Sequence, residues 1–258
     1  MKASPYDPID GMPYTVIIPT RKEKNLIPCV EAIEGYNPGI LRDVFVVDDD
    51  EMGNVERCCA GYGLTRAQGI KPFVYARNVN LGLGLCLRTG RDAIVLNDDA
   101  LLETQGGFDA LSYAANCLMF KPYGVVGATV RGAVGCQEQM YMQRMKVMSK
   151  NASPLIHLVE SHTVAFVCVY LRHAVIANVG LLDERFDRGY GFEDSDYCHR
   201  TRKWGYQLGV YDGCVVEHGI SLKSTFRHGD DGTPRPQSLE PGLEIFKQIH
   251  GCLPGEWK

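Results

Sequence analysis

The sequence predicts an α/β protein with a mostly parallel central sheet flanked by helices, and three observations carry that prediction. Short runs rich in Val and Ile alternate with helical patterns through the first half of the chain. These runs are apolar without alternation, as strands covered on both faces are. The chain has 258 residues, 45% of them hydrophobic and 22% charged, enough apolar material for one large body, so a single domain over 1–258 is expected.

In chain order, the first expected strand is Tyr14–Pro19, followed by a helix over Asn25–Gly35. The run VFVV places a second strand at Asp43–Val47, and Asn54–Tyr62 follows as a helix. Pro72–Ala76 reads as the third strand and Leu81–Thr89 as its helix; AIVL makes Ala93–Leu96 the fourth. Phe108–Met119 is then helical and Val125–Val130 a strand. Beyond this, Gln137–Ser153 is polar and methionine-rich and suits an irregular segment, while Thr163–Tyr170 is a strong apolar run. A short helix over Arg172–Asn178, a Gly-punctuated turn over Asp187–Phe192 and a helix from Glu193 to about Trp204 follow. Two short strands are expected at Gln207–Tyr211 and Cys214–Glu217, a loop at Ser221–Gln237 and a closing helix at Leu239–Ile249.

Composition excludes several classes. With 27 basic and 31 acidic residues the formal charge is −4, so nothing global draws the chain to nucleic acid or anionic lipid. The opening MKASPYDPIDGMPY has no apolar signal core, and the longest apolar run, Thr163–Leu171, is less than half of the ~20 residues a spanning helix needs. Ten scattered cysteines never form CxxC, which reads as reduced, buried thiols in a cytoplasmic protein.

Ligands of a parallel sheet bind at the carboxyl ends of its strands. The residues there are Thr20–Arg21, Asp48–Glu51, Arg77–Asn80 and Asn97–Asp99. Asp48-Asp49-Asp50-Glu51 crowds four carboxylates at one strand end, either as a solvated turn capping the next helix or as a site for a base, a ribose or a cation. Asn97-Asp98-Asp99 is either an ordinary turn or paired carboxylates that hold a divalent cation with room for a diphosphate. Glu193-Asp194-Ser195-Asp196 opens a helix, where carboxylates cap the macrodipole or serve as a general base beside a cleft. His218 ends the run CVVE and is by itself ambiguous between a core histidine and a ligand.

Taken together, the order of these segments resembles the inverting glycosyltransferase family 2. TVIIPTRKEKN looks like that family's opening strand and donor turn, VFVVDDDEMGN like its VVDD element, and IVLNDDALL takes the place of its DXD motif. The longest block, AFVCVYLRHAVIANVGLLDERFDRGYGFEDSDYCHRTRKWGY, reproduces the apolar strand, the turn, the Glu-Asp-x-Asp helix and the closing Gly-Tyr. The resemblance implies the GT-A fold, a Rossmann-like sheet with a small acceptor-side subregion. It assigns a donor-binding half at about 14–130, an acceptor and catalytic half at about 131–219 and a C-terminal loop and helix at 220–258.

By position, the resemblance gives Asp48 or Asp49 to the nucleotide base or ribose, with Pro19, Thr20 and Arg77 nearby. Asp99 would bind the cation and Asp98 would contact sugar or ribose. Asp194, with Glu193 beside it, would be the catalytic base, and His218 would complete the metal site. The implied cofactor is Mn²⁺ or Mg²⁺. The implied partners are a nucleotide-sugar donor, UDP-linked in the first instance with GDP or dTDP as alternatives, and a hydroxyl-bearing acceptor. Two rival classes are a nucleotidyltransferase, although no Gly-rich basic phosphate loop follows the first strand, and a non-catalytic nucleotide-sugar-binding module.

Overall fold

Strand β1 (Tyr14–Thr20) is buried at all 7 of its residues, and β2 (Val44–Asp48) and β4 (Asp92–Leu96) at all 5 of theirs. Strands covered on both faces belong in the middle of a sheet with helices on either side. The computed structural model has that arrangement; it describes residues 14–116, 123–143, 158–188, 191–224 and 238–256. The other strands are β3 (Thr65–Gln68), β5 (Ala100–Leu102), β6 (Tyr123–Gly132), β7 (Leu158–Glu160), β8 (Cys168–Leu171) and β9 (Gln207–His218). The sheet runs β3-β2-β1-β4-β8-β6-β9-β5, with β7 joined to β9 beside that path. From β3 to β4 the pairing is parallel, β8 is antiparallel to both neighbours, and β6 and β9 are again parallel.

The alternation of side chains along β1 sorts the core into two layers. Val16 and Ile18 pack with α1 (Glu23–Tyr36), α2 (Asn54–Tyr62) and α4 (Gly107–Asn116), through Leu26, Val30, Val55 and Phe108. Ile17 faces the other way, towards Val79 and Leu83 of α3 (Tyr75–Thr89), Ile176 of α5 (His173–Val179) and Tyr197 of α6 (Glu193–Lys203). Helix α3 lies so close that a Cβ on Gly82 would sit 2.5 Å from Ile17 Cγ2. The C-terminal helix α7 (Glu240–His250) packs on a 3-10 turn at Glu184–Arg188 and on α6.

The expected elements are largely present, with three corrections. The third strand is Thr65–Gln68, not Pro72–Ala76. TRAQ pairs on one side only, with β2, and is exposed or half-exposed, so it needs no apolar signature; the apolar Val74 and Ala76 instead enter the packed start of α3. The two expected strands near the end are one strand, β9. Its register against β6 jumps from Ala128↔Tyr211 to Thr129↔Val215, and this bulge lets its other edge hold β7 at Gly209–Tyr211 and β5 at Val216–His218. Of the apolar run Thr163–Tyr170, only the part from Cys168 onward is strand; the rest is a buried irregular segment fixed by Gln139, whose Oε1 accepts the Ala165 N–H at 2.7 Å.

Parts of four other expectations lie outside the described residues: 117–119 of the fourth expected helix, 144–153 of the polar segment, 189–190 of the Gly-punctuated turn and 225–237 of the loop. The nine described cysteines are free thiols, eight of them buried. No helix among the described residues is long and apolar enough to cross a membrane.

Candidate active site

The carboxyl ends of β1, β2 and β4 open at one edge of the sheet. Pro19 and Thr20 pair with Val47 and Asp48, and the Asp49 N–H donates to the Thr20 carbonyl at 2.7 Å. The four-carboxylate cluster divides its work. Asp50 caps α2, its Oδ2 accepting the N–H of Asn54 at 2.6 Å; burial opposes the charge, but that N–H and others hold its pKa below the ordinary value. Asp48 accepts the Asp50 N–H at 2.8 Å and pairs with Arg66 at 2.8 Å; burial nonetheless pushes its pKa up. Glu51 is exposed and lies 3.2 Å from Lys71.

Asp49 differs. Its Oδ2 is 3.2 Å from Lys71 Nζ, while its Oδ1 is shut from solvent and has no hydrogen-bond partner among the described residues. The Nδ2 of Asn78 is in the same condition, and its orientation is fixed because Asn78 Oδ1 accepts the Ile70 N–H at 3.1 Å. Both atoms border Gly69: a Cβ there would be 3.0 Å from Asp49 Oδ1 and 3.1 Å from Asn78 Nδ2. An acceptor and a donor thus stand side by side where a side chain is missing. The cleft at this turn encloses about 500 Å³ and is lined by Arg21, Lys22, Lys24, Asp49, Glu51 and Lys71 among others. It lies over the β1 and β2 ends and its lining does not include Asp99 or His218.

After β4 the two acids also part ways. Asp98 Oδ2 accepts the Thr20 hydroxyl at 2.7 Å, tying this turn to β1. Asp99 precedes β5, and because Ala100 sits opposite His218 in the β5–β9 register, Asp99 Oδ1 lies 3.3 Å from His218 Nε2. His218 Nδ1 is bonded to the Ala133 carbonyl, a pure acceptor, so Nδ1 carries the hydrogen. In the neutral ring Nε2 then directs a lone pair at a carboxylate, an arrangement that calls for a proton on Nε2 or a cation held by both. Asp99 Oδ2 is buried without a hydrogen-bond partner among the described residues, which makes the same demand. A carboxylate oxygen and an imidazole nitrogen suit a borderline divalent ion. No group of three or more His, Cys, Asp or Glu suited to a metal is present among the described residues, which offer two ligands there.

Helix α6 brings the third component. It begins after Phe192, whose φ of 75° is the only positive value among described non-glycine residues. The Ser195 N–H donates to Asp194 Oδ1 at 2.7 Å, and Glu193 Oε2 is shut from solvent without a hydrogen-bond partner among the described residues. Burial raises the pKa of both acids; for Glu193 the negative charge of Asp194 adds to it. Carboxyls whose pKa is raised in this way are suited to taking up a proton. Asp196, one turn on, is structural: it holds Arg200 and His250, each at 2.8 Å.

The segment 163–167 joins these parts. The Asn97 N–H donates to the Val167 carbonyl at 2.9 Å, and the Tyr75 hydroxyl reaches Asn97 Oδ1 at 3.2 Å and the Phe166 carbonyl at 3.0 Å. The backbone N–H of Phe166 in turn supports Asp194. Arg77 is not brought to the strand-end carboxylates; it lies in the first turn of α3 and pairs with Glu184 at 3.3 Å. Sequence reasoning missed Arg66, Lys71, Gly69 and Ala133, which sit on an edge strand or in turns where no periodicity marks them. Asn78 fell inside the window 77–80 marked at a strand end, although that strand proved to lie elsewhere.

No family model matches the chain and no curated protein matches its sequence. Its fold does match solved structures. GalNAc-T7 with UDP, GalNAc and Mn²⁺ aligns over 98% of this chain and 56% of its own, at TM-score 0.63 and 12% identity. The mannosyltransferase PcManGT from Pyrobaculum calidifontis, in complex with GDP-Man and Mn²⁺, aligns over 80% of this chain and 56% of its own, at TM-score 0.57 and 16% identity. A mycobacterial protein aligns over 92% and 72%, at TM-score 0.52 and 12% identity. This chain spans just over half the length of the first two. At these identities the likeness is one of architecture: the chain has the GT-A glycosyltransferase fold.

Proposed function

We propose that this protein is a metal-dependent glycosyltransferase of the family 2 type, moving a sugar from a nucleoside-diphosphate donor to an acceptor hydroxyl with inversion. The observation that carries the reading is the Asp99–His218 pair, with its unsatisfied carboxylate oxygen, at the same sheet edge as the Asp49–Asn78 pair. The UDP, GDP-Man and Mn²⁺ of the two solved glycosyltransferases support it.

Asp49 and Asn78 would take the base, since an acceptor beside a donor matches a base edge with N–H next to C=O; UDP is the first candidate, GDP and dTDP the others. Asp48 is committed to Arg66 and the Asp50 N–H, so its part is to fix the turn. Asp98, held by Thr20, would shape the floor under sugar or ribose, and Arg77 would act at the rim. Asp99 and His218 would hold Mn²⁺, or Mg²⁺ less readily because imidazole is a softer ligand than oxygen. Bound there, the cation would stabilise the charge growing on the departing diphosphate.

Asp194 would accept the proton of the acceptor hydroxyl as its oxygen attacks the anomeric carbon. Its Oδ1 is held by Ser195, which fixes the carboxylate, while Glu193 beside it raises the proton affinity of the pair. In this reading residues 14–130 form the donor half, 131–219 the acceptor and catalytic half, and 220–258 the closing segment.

The test is a thermal-shift panel of UDP, GDP, dTDP and CDP, each with and without Mn²⁺, on the wild type and Asp99→Ala. A ligand that binds the folded state alone raises its apparent stability, by ~2.7 kcal/mol at 100 times its Kd. The expected result is a shift for one nucleotide that requires Mn²⁺ and is lost in Asp99→Ala. No shift with any nucleotide would overturn the proposal.

A further inference from the structure

We infer that the C-terminal helix α7 is a clamp that aims the acid pair of α6, acting through Phe192. The inference rests on the reading of Glu193 and Asp194 as the proton-accepting pair.

Phe192 is the residue from which the chain enters α6, and its left-handed φ of 75° is a conformation that a side chain with a Cβ adopts only when its surroundings impose it. What imposes it comes from α7. Phe246 is fully buried, its ring 6.4 Å from that of Phe192, 5.9 Å from that of His199 and 4.5 Å from that of His250. His250 Nε2 lies 2.8 Å from Asp196 Oδ1. A Cβ on Gly191 would lie 3.4 Å from a methyl of Leu239, just ahead of α7.

Positions 192, 196 and 199 form one stripe along α6, so α7 grips a single face of its first two turns. The other side of α6 meets segment 163–167: Tyr197 lies edge-on to Phe166 at 5.7 Å, and the Val164 N–H reaches Cys198 Sγ at 3.3 Å. Between these two supports the backbone at Phe192 cannot relax to negative φ without moving Glu193 and Asp194 off the direction in which they are buried. Phe192 and Phe246 are therefore positioning residues, acting through the backbone that enters α6.

The experiment compares wild type with Phe246→Ala, Phe246→Leu and Phe192→Gly. Glycine takes φ of 75° without strain, so that variant permits the entry direction but no longer enforces it. Two readouts are needed: the titration of the Glu193 carboxyl by ¹³C NMR, assigned with Glu193→Gln, and kcat and KM for release of nucleotide from UDP-, GDP- and dTDP-sugars with Mn²⁺. Phe246→Ala and Phe192→Gly should move the Glu193 titration down towards ordinary carboxylates and lower kcat by up to about 100-fold at unchanged KM, the scale of a 1 Å misplacement. Phe246→Leu should restore most of both. Should Phe246→Ala not fold, Phe192→Gly decides. Unchanged Glu193 titration and kcat in folded variants would overturn the clamp. A wild type that releases no nucleotide from any donor would instead overturn the proposed function, and the NMR titration would still judge the clamp.

Discussion

Replacing Gly132 by Ala tests how the fold holds His218. Gly132 ends β6 directly opposite His218, with φ of +124°, and a Cβ there would stand 2.1 Å from the His218 carbonyl oxygen. Carbon–oxygen contacts relax at about 3.3 Å, so the two backbones must part by roughly 1 Å. The next residue, Ala133, holds His218 twice, its N–H on the His218 carbonyl at 3.0 Å and its own carbonyl on Nδ1. A shift of that size breaks both contacts and frees the ring whose orientation presents Nε2 to Asp99. Outer partners of metal-bound histidines are typically worth about 10- to 100-fold in metal affinity, and Mn²⁺ binding should fall by that factor.

Stability should fall as well. Left-handed strain costs ~1–3 kcal/mol and the forced movement a similar amount. At about 2–4 °C per kcal/mol for a chain of this size, Tm should drop by roughly 4–24 °C. The assay is the electron paramagnetic resonance signal of free Mn²⁺ during titration, run below the variant's Tm, with calorimetry alongside. Gly135→Ala is the control, because a Cβ there meets nothing within 4 Å. Wild-type Mn²⁺ affinity and Tm in Gly132→Ala would refute the argument.

Asp194→Asn should lower turnover by about 100- to 10,000-fold while leaving the Mn²⁺-dependent nucleotide thermal shift intact; full turnover in that variant would remove Asp194 as base. Burial, then the neighbouring His250, holds His199 down at about 4, against an ordinary value near 6.5. The folded state therefore binds that proton less readily than the unfolded chain, and the stability this contributes above pH 6.5 is lost as pH falls through about 4. Urea midpoints between pH 7 and 4 should fall less steeply in His199→Phe than in wild type, and equal slopes would count against the assignment. Gly82→Ala places a Cβ 2.5–2.7 Å from three carbons of Ile17, and should destabilise by about 1–3 kcal/mol with Mn²⁺ affinity unchanged; a neutral calorimetric result would mean that α3 moves freely on β1.

The central strands could be read directly because β1, β2 and β4 are covered on both faces, and only continuous apolar runs satisfy that burial. The strand-end rule then marked Thr20, Asp48, Asp49, Asp98 and Asp99 without further knowledge, since a parallel sheet aligns all its carboxyl ends. Edge strand β3 was misplaced because one-sided pairing leaves its side chains in solvent, where polar TRAQ serves as well as any apolar run. The division of labour within the acidic clusters was equally hidden. That Asp48 belongs to Arg66 and that Asp49 and Asn78 both border Gly69 depend on partners distant in sequence.

Local sequence therefore determined which segments are strands and helices, where burial imposes a period that the residues must carry, and which residues stand at strand ends. Only the tertiary structure decided which of those residues meet. The β9 bulge brings His218 to Asp99, α7 braces the entry to α6, and Arg77 goes to Glu184. Such pairings are set by sheet register and helix docking, long-range contacts that leave no periodic trace in the chain.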